Sequence, residues 1–526
     1  MDILFAENSK RKTVELKPET VKDLALQDIL DNISDSESEM IILRYIFTHI
    51  PIDTNDTRYR SEILKDFLEN DAMTDEMTNA LSYIRTLKDY GHSKLLQLSD
   101  DRTLYVLLEH LRELMIYIEA TEAIVSCLKK HKIRSTGLRS VLTRLESIVT
   151  DDKFELAKKD VKKMLHDLSN VKGAFIGVNF TPDLNIEQVT SVEFVPYRIR
   201  SKYKFAEIAA FISNVNSNAM ASNSVGKPWA PTRVIDPLLV SMTPNIEKHL
   251  KLNIIRIKHI MNKYVKLDSS SITELYEGLT YYLCMTKLSR RLRKEGCEIC
   301  LPEITDTEGI KLDIKDLYNI RLFFAGEKNI VKNDFSFSPE ENLFILTGPN
   351  RGGKTIIEQA LGIISIMAAI GSFVTASSCK GRPFHNILTH FPIDENLTIN
   401  YGRLGEEAIR IKEIVKEADD KTLILFNETY STTSAADGLY LSKDLLRILK
   451  EHGTAVVFNT HIHELARSLD EMNRWDGQSK FVSLVMEIKD NVNTFRVKRS
   501  DPESKSYAKN IAEKYGITYE QMKNAE

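Results

Sequence analysis

Gly348-Pro349-Asn350-Arg351-Gly352-Gly353-Lys354-Thr355 gathers three glycines, a lysine and a hydroxyl within eight residues, in the spacing G-x-x-x-x-G-K-T. An apolar run precedes it and a helical pattern follows it. Glycines at 348, 352 and 353 let the backbone curl so that its N–H groups converge at a helix N-terminus, where partial positive charge favours an anion. Lys354 is then placed to neutralise the terminal phosphates of a nucleoside triphosphate, and Thr355 to offer its hydroxyl to Mg2+. The pattern assigns phosphate binding to Gly348, Pro349, Asn350, Arg351, Gly352, Gly353, Lys354 and Thr355, with ATP and Mg2+ as the expected cofactors. The competing reading is a glycine-rich turn with an exposed lysine.

Hydrolysis needs two further groups, a carboxylate near the metal and a base for the attacking water. Leu423-Ile424-Leu425-Phe426-Asn427-Glu428 supplies a strand and Glu428 but puts Asn427 where an aspartate is expected. An amide accepts a hydrogen bond from a metal-bound water yet brings no negative charge, so Mg2+ is expected to be held less firmly. Glu428 is the candidate for polarising water; the bland alternative is a surface acid at a strand end. The next strand ends in Asn459-Thr460-His461, and His461 is expected to reach the γ-phosphate. The run His461-x-His463-Glu464 is not read as a metal site, because its first histidine ends a strand and its second lies on the next turn.

The elements that must position these groups follow from periodicity. Strand Leu343 to Thr347, the loop, helix Lys354 to about Ile370, strand Leu423 to Phe426, helix about Leu439 to Lys450 and strand Ala455 to Asn459 alternate, which gives a mostly parallel sheet covered by helices. Val482 to Ile488 and Thr494 to Val497 read as a closing hairpin, with a final helix from near Ser506. The helix after the loop is expected to be amphipathic. Upstream of a change in character near residue 340, long helices dominate. Leu104, Leu107, Leu108, Leu111, Leu114 and Ile118 form one stripe, and a second helix from Thr243-Pro244 carries Ile246, Leu250, Ile254, Ile257, Met261 and Tyr264. A third starts at Ser271, with Glu274 completing a capping box, and ends at Gly296. Ala174 to Asn179 and Val189 to Val195 read as two strands, and 217 to 227 as a loop.

At 526 residues two to four domains are expected. Acidic and basic residues nearly cancel, 75 against 71, so any nucleic-acid contact must come from local patches such as Lys129 to Arg139, Arg198 to Lys204 and Lys287 to Lys294. Each of these also fits a solvated surface. Five cysteines make no disulfide framework, and Met1-Asp2-Ile3-Leu4 does not open a signal peptide, so a reducing cytoplasm is expected. Cys297 and Cys300 are read as buried, unligated thiols. The most apolar stretch, Ile363 to Ala376, is too short to span a bilayer and fits a buried helix.

Thr347 to Thr355, Asn427-Glu428, Ser434 to Gly438, and Thr460-His461 followed by Glu464-Leu465 resemble the ATPase domain of the MutS family of DNA mismatch-repair proteins. Leu301-Pro302-Glu303-Ile304 and Ile330-Val331-Lys332-Asn333-Asp334 resemble the segments leading into that ATPase, the second being the loop that holds adenine. Ser506 to Ile517 is similar to its closing segment, and Pro51 to Leu68 to the start of the helical core. The resemblance implies a multidomain α and α/β fold: a long-helix core and lever domain with a small β-containing insertion, followed by an ABC-type P-loop ATPase domain. The implied segments are 1–100 (helical core), 101–300 (lever helices, insertion at about 150–230) and 301–526 (ATPase). It further implies a homodimer holding DNA, adenine contacts from Ile330 and Asn333, and partner-subunit contacts from Gly402, Arg403 and Ser434.

Departures from the family are as informative. No counterpart of the mispair-reading N-terminal domain is seen. Arg351 replaces a methionine, Asn427 an aspartate, Ser431 stands where an arginine is usual, and Gly402 lies near an expected serine. The expected function is a dimeric ATPase whose nucleotide state controls clamping on DNA other than mismatches. The alternatives are an ATP-gated clamp or adaptor with little hydrolysis, and a chromosome-maintenance ATPase of the SMC kind, which carries far longer heptad arms.

Overall fold

The computed structural model describes residues 1–91, 104–170, 172–183, 186–198, 251–264, 270–305, 312–349, 351–392, 403–431, 433–489, 492–500 and 519–523. The expected loop at 217–227, the helix start at Thr243-Pro244 and the segment 506–517 lie outside them, as do Asn350 and Gly402. The chain forms two compact units, one joining Met1–Thr78, Leu128–Val141 and Glu274–Glu526, the other Asn79–Cys127 and Leu142–Thr273. Among the described residues no helix is long and apolar enough to cross a membrane.

The first unit is built on a six-stranded sheet. Its strands are β1 (Glu341–Thr347), β2 (Asn386–His390), β3 (Thr422–Asn427), β4 (Ala455–Asn459), β5 (Lys480–Lys489) and β6 (Val492–Arg499), in the spatial order β2-β3-β4-β1-β5-β6. All neighbours are parallel except β5 and β6, which form the expected antiparallel hairpin. Strands β3 and β4 are buried along their whole length, which is why they read as unbroken apolar runs rather than alternating ones. In register, Asn427 faces Asn459 and Asn459 faces Leu346. The ends of β1, β3 and β4 therefore release their following loops at one edge of the sheet, where ligands of such sheets bind.

Helix Lys354–Ala369 departs from the amphipathic expectation and bears out the reading of the apolar stretch from Ile363 as buried. It is buried continuously from Ile357 to Ala369. The reason lies at Gly362, where an added Cβ would stand 2.6 Å from Leu24 on one side and 3.0 Å from Leu425 of β3 on the other. Residues near the N-terminus thus pack against the helix beside β3, and Gln359 Nε2 donates to the Asp23 carbonyl at 2.9 Å.

The far end of this helix is fixed by two others. Thr57, on helix Thr54–Leu68, donates through its hydroxyl to the Ala369 carbonyl at 2.8 Å, and Tyr281, on helix Leu275–Lys294, to the Ile370 carbonyl at 3.2 Å. Between them sits Gly371 at φ +76°, where a Cβ would meet the Thr57 carbonyl and Arg60 Cβ, both at 2.6 Å. Gly371→Ala combines left-handed strain with backbone overlap and is expected to destabilise the unit by about 2–4 kcal/mol. The check is the urea midpoint of the variant; a midpoint equal to that of the parent protein would mean that the contact yields at no cost.

The helix expected from Ser271 is divided into Ser270–Thr273 and Leu275–Lys294, with Glu274 between them. Glu274 makes no side-chain cap bond to the helix. Its carboxylate pairs instead with the Met1 amino group. The basic stretch at the other end is committed to the unit itself: Arg290 bridges Asp71 and Asp75, Arg291 donates to the Asn32 carbonyl, and Lys287 pairs with Asp35. Cys297 and Cys300 carry free thiols but are only partly buried, not buried as expected.

In the second unit Leu111, Leu114 and Ile118 are buried along helix Leu104–Lys130, and Tyr117 meets Phe154 edge-on at 6.2 Å. The expected strand pair is the antiparallel hairpin Gly173–Phe180 and Ile186–Val195. On helix Lys251–Tyr264, Ile257 and Tyr264 face inward, and the Tyr264 hydroxyl donates to Asp160 at 2.6 Å.

Candidate active site

The loop between β1 and helix Lys354–Ala369 forms one wall of a cavity of about 540 Å3 at the sheet edge. Pro349, Arg351, Gly352, Gly353, Lys354 and Thr355 line that wall. Glu428, just past β3, Phe495 of β6, and Tyr318, Asn319, Glu327, Ile330 and Asn333 are among the other residues that line it. Gly353 caps the helix at φ +95°, with Phe495 so close that an added Cβ would lie 3.1 Å from its ring. A side chain here would be strained and would crowd the helix N-terminus, the end whose N–H groups attract an anion.

Lys354 is buried, and its ammonium donates to the carbonyls of Gly348 at 3.1 Å and Pro349 at 3.2 Å. Burial lowers its pKa, while the carboxyls of Glu428 and Glu358 pull it the other way. The cation is therefore stored inside the loop on acceptors that bear no full charge, an arrangement from which it can turn to a stronger anionic partner. Gly348 itself lies behind the cavity wall.

Behind Thr355 runs a chain of buried side chains. Asn427 Nδ2 donates to Thr355 Oγ1 at 3.3 Å, and Asn459 Nδ2 donates to Asn427 Oδ1 at 2.6 Å and to Glu358 Oε2 at 3.0 Å. Glu428 stands in the left-handed region at φ +52°, and Tyr430 follows at φ +61°. Two such residues in one short turn store strain of about 1–3 kcal/mol each. The turn is held by the Glu428 N–H on the Asn459 carbonyl at 2.9 Å and by the Tyr430 N–H on Glu407 Oε1 at 2.8 Å.

Other sequence-derived residues fall elsewhere. Asn333 borders the cavity, but its amide is spent on β6: Nδ2 donates to the Phe495 carbonyl at 3.1 Å and Oδ1 accepts from the Val497 N–H at 2.7 Å. Its part is to hold Phe495 in place. His461 is exposed beyond the end of β4 and is not among the cavity-lining residues. Arg403 begins helix Arg403–Glu417, and Ser434 caps helix Ala435–Glu451 by accepting from the Asp437 N–H at 3.2 Å.

Sequence reasoning missed Phe495, Tyr318, Asn459 and Glu358. The last had a signal: it is the one acid within the apolar run from Lys354 to Ala369, placed i+4 from the lysine and hence on its face of the helix. Phe495 had none, since its place depends on the left-handed conformation at φ +59°.

With this geometry in view, two family models match the chain: MutS domain V over residues 344–526 and the MutS2 N-terminal domain over residues 52–190. Among curated proteins, the DNA mismatch repair protein MutS of Clostridium kluyveri is 27% identical over 246 residues, which is 46% of this chain and 28% of that protein. The protein of the same name from Desulforamulus reducens is 31% identical over 219 residues, 41% of this chain and 25% of that one. That from Lactobacillus delbrueckii subsp. bulgaricus is 33% identical over 142 residues, 27% of this chain and 16% of that one. The matched stretch thus amounts to roughly a quarter of each relative's length, or less.

Proposed function

Because this chain belongs to the MutS family, we propose that it is a DNA-binding ATPase, working as a cytoplasmic homodimer whose nucleotide state controls its grip on DNA structures other than mispairs. One observation carries the reading. The loop Gly348–Thr355 walls a cavity large enough for a nucleotide, with a buried lysine inside the loop and the carboxylate of Glu428, at the end of β3, among the lining residues.

The residues present suit ATP with Mg2+, whose phosphoanhydride supplies the chemistry when bound. Lys354 turns from the Gly348 and Pro349 carbonyls to the phosphates, exchanging neutral acceptors for charged ones. Thr355, backed by Asn427, presents its hydroxyl to the metal position. Glu428 accepts the proton of the attacking water, and the strained turn at 428–430 fixes its direction. Phe495 and Ile330 give the base an apolar seat. Gly402, Arg403 and Ser434 are assigned to the partner subunit's nucleotide, and His461 to sensing the γ-phosphate once the dimer closes.

A second reading is favoured by one bond. Asn427 Oδ1 is already taken by Asn459 at 2.6 Å, which suits an ATP-gated clamp or adaptor that barely hydrolyses. Asn427→Asp separates the two. A rise in phosphate release of about tenfold or more, the scale on which a metal-site carboxylate acts, supports the clamp; an unchanged or lower rate supports the ATPase. A purified dimer that neither releases phosphate nor retards branched, single-stranded or duplex DNA in a gel would overturn the main reading.

A further inference from the structure

Glu358 lies one helical turn beyond Lys354 and has no solvent exposure. Its Oε2 accepts from Asn459 Nδ2 at 3.0 Å, the same nitrogen donates to Asn427 Oδ1 at 2.6 Å, and Asn427 Nδ2 donates to Thr355 Oγ1 at 3.3 Å. An unbroken line of side chains thus joins a buried acid to the hydroxyl assigned to Mg2+. Glu358 Oε1 and Asn459 Oδ1 are buried without a hydrogen-bond partner. As a mere core residue this acid is a poor choice, since its Oε1 is buried without a partner and a buried carboxyl costs more than an amide that could accept the same bond from Asn459. The strand end, meanwhile, lacks the carboxylate that such a metal site calls for, and Glu358 is two side chains away.

We propose that Glu358 is a positioning residue that replaces the missing strand-end carboxylate: through Asn459 it fixes the Asn427 amide, and it supplies the negative charge that Asn427 cannot bring to the Mg2+ site. The inference rests on the nucleotide site proposed above. Both hydrogens of Asn459 Nδ2 are used, one on Glu358 and one on Asn427, so the orientation of Asn427 depends on the acid. Burial holds the Glu358 carboxyl well above the usual range, with Lys354 pulling it down and Glu428 pushing it up. Were a divalent cation held at Thr355, its charge would favour the ionised form of the Glu358 carboxyl, whose proton would pass to solvent.

The test is a titration of a fluorescent ATP analogue into the full chain at graded Mg2+, with proton release read by calorimetry in two buffers. The parent protein is expected to bind more tightly as Mg2+ rises and to release a proton. Glu358→Gln keeps size and hydrogen bonding, so its Mg2+-free affinity should hold, while it should need about tenfold more Mg2+ and lose the proton release. The double variant Glu358→Gln, Asn427→Asp moves the carboxylate to the strand end and should recover the Mg2+ dependence, a rescue that a packing role does not predict. If Glu358→Gln fails to fold, Asn459→Ala, which cuts the line and leaves the acid in place, should show the same shift. A Glu358→Gln or Asn459→Ala protein that titrates like the parent overturns the proposal. A parent protein that binds no nucleotide at any Mg2+ concentration instead overturns the nucleotide site itself.

Discussion

Glu428→Gln is expected to leave ATP binding within about twofold of the parent protein and to lower phosphate release by roughly 10²–10³-fold, within the range for removal of a general base. The substitution keeps the volume and the hydrogen-bonding reach of the side chain and removes its charge and basicity. Structure supports a clean result. The turn is held by backbone bonds, from the Glu428 N–H to Asn459 and from the Tyr430 N–H to Glu407, neither of which involves the Glu428 carboxylate. The strained φ of +52° is met as well by glutamine as by glutamate. Steady-state phosphate release at saturating ATP, paired with a nucleotide titration, reads both effects. An unchanged rate would move the role of base to another group, His461 first among them.

Lys354→Ala has the other large effect, and on binding rather than turnover. Loss of the one buried ammonium on the cavity wall should weaken ATP at least ~100-fold, as expected when a charge-assisted contact to phosphate is removed and the anion is left uncompensated. The carbonyls of Gly348 and Pro349 also lose their donor. The Pro349 carbonyl borders the cavity and can take water, while that of Gly348 is buried behind the wall, so a modest loss of stability is expected beside the loss of binding. Thermal melting distinguishes the two proteins directly: saturating ATP should raise the melting temperature of the parent protein and leave that of Lys354→Ala unmoved. Equal shifts would show that the loop binds phosphate through its backbone alone.

Much of the site was legible because its requirements are local. A strand, a glycine-rich turn and a helix contiguous in sequence bring Gly348 to Thr355 together with no help from elsewhere, and the strand ending in Asn427-Glu428 announces itself by its unbroken apolar run. What stayed hidden depends on register and on distant chain. That Asn427 faces Asn459 follows from the pairing of β3 with β4, which periodicity does not determine. Asn333 lines the cavity, yet its amide serves Phe495, some 160 residues away in sequence. The amphipathic expectation for helix Lys354–Ala369 failed for a similar reason. The apolar run from Ile363 did announce burial, but that Leu24 and Asp23 supply part of the cover is not written in the helix itself. Glu274 looked like a cap because its spacing fits one, but the Met1 amino group offers a stronger, charged partner.

The hold of Thr57 on Ala369 has a consequence for how the protein is made. The two residues are 312 positions apart, so at ~5–20 residues per second of synthesis the N-terminal helices wait roughly 15–60 s before the surface they cover exists. During that interval their apolar faces are exposed on the ribosome. Nor can the sheet and its loop be cut out as a contiguous fragment starting near residue 301, because Leu24, Thr57 and Tyr281 would be left behind. Such a fragment is expected to unfold at a lower urea concentration than the whole chain, since it lacks the hydroxyl that holds the Ala369 carbonyl.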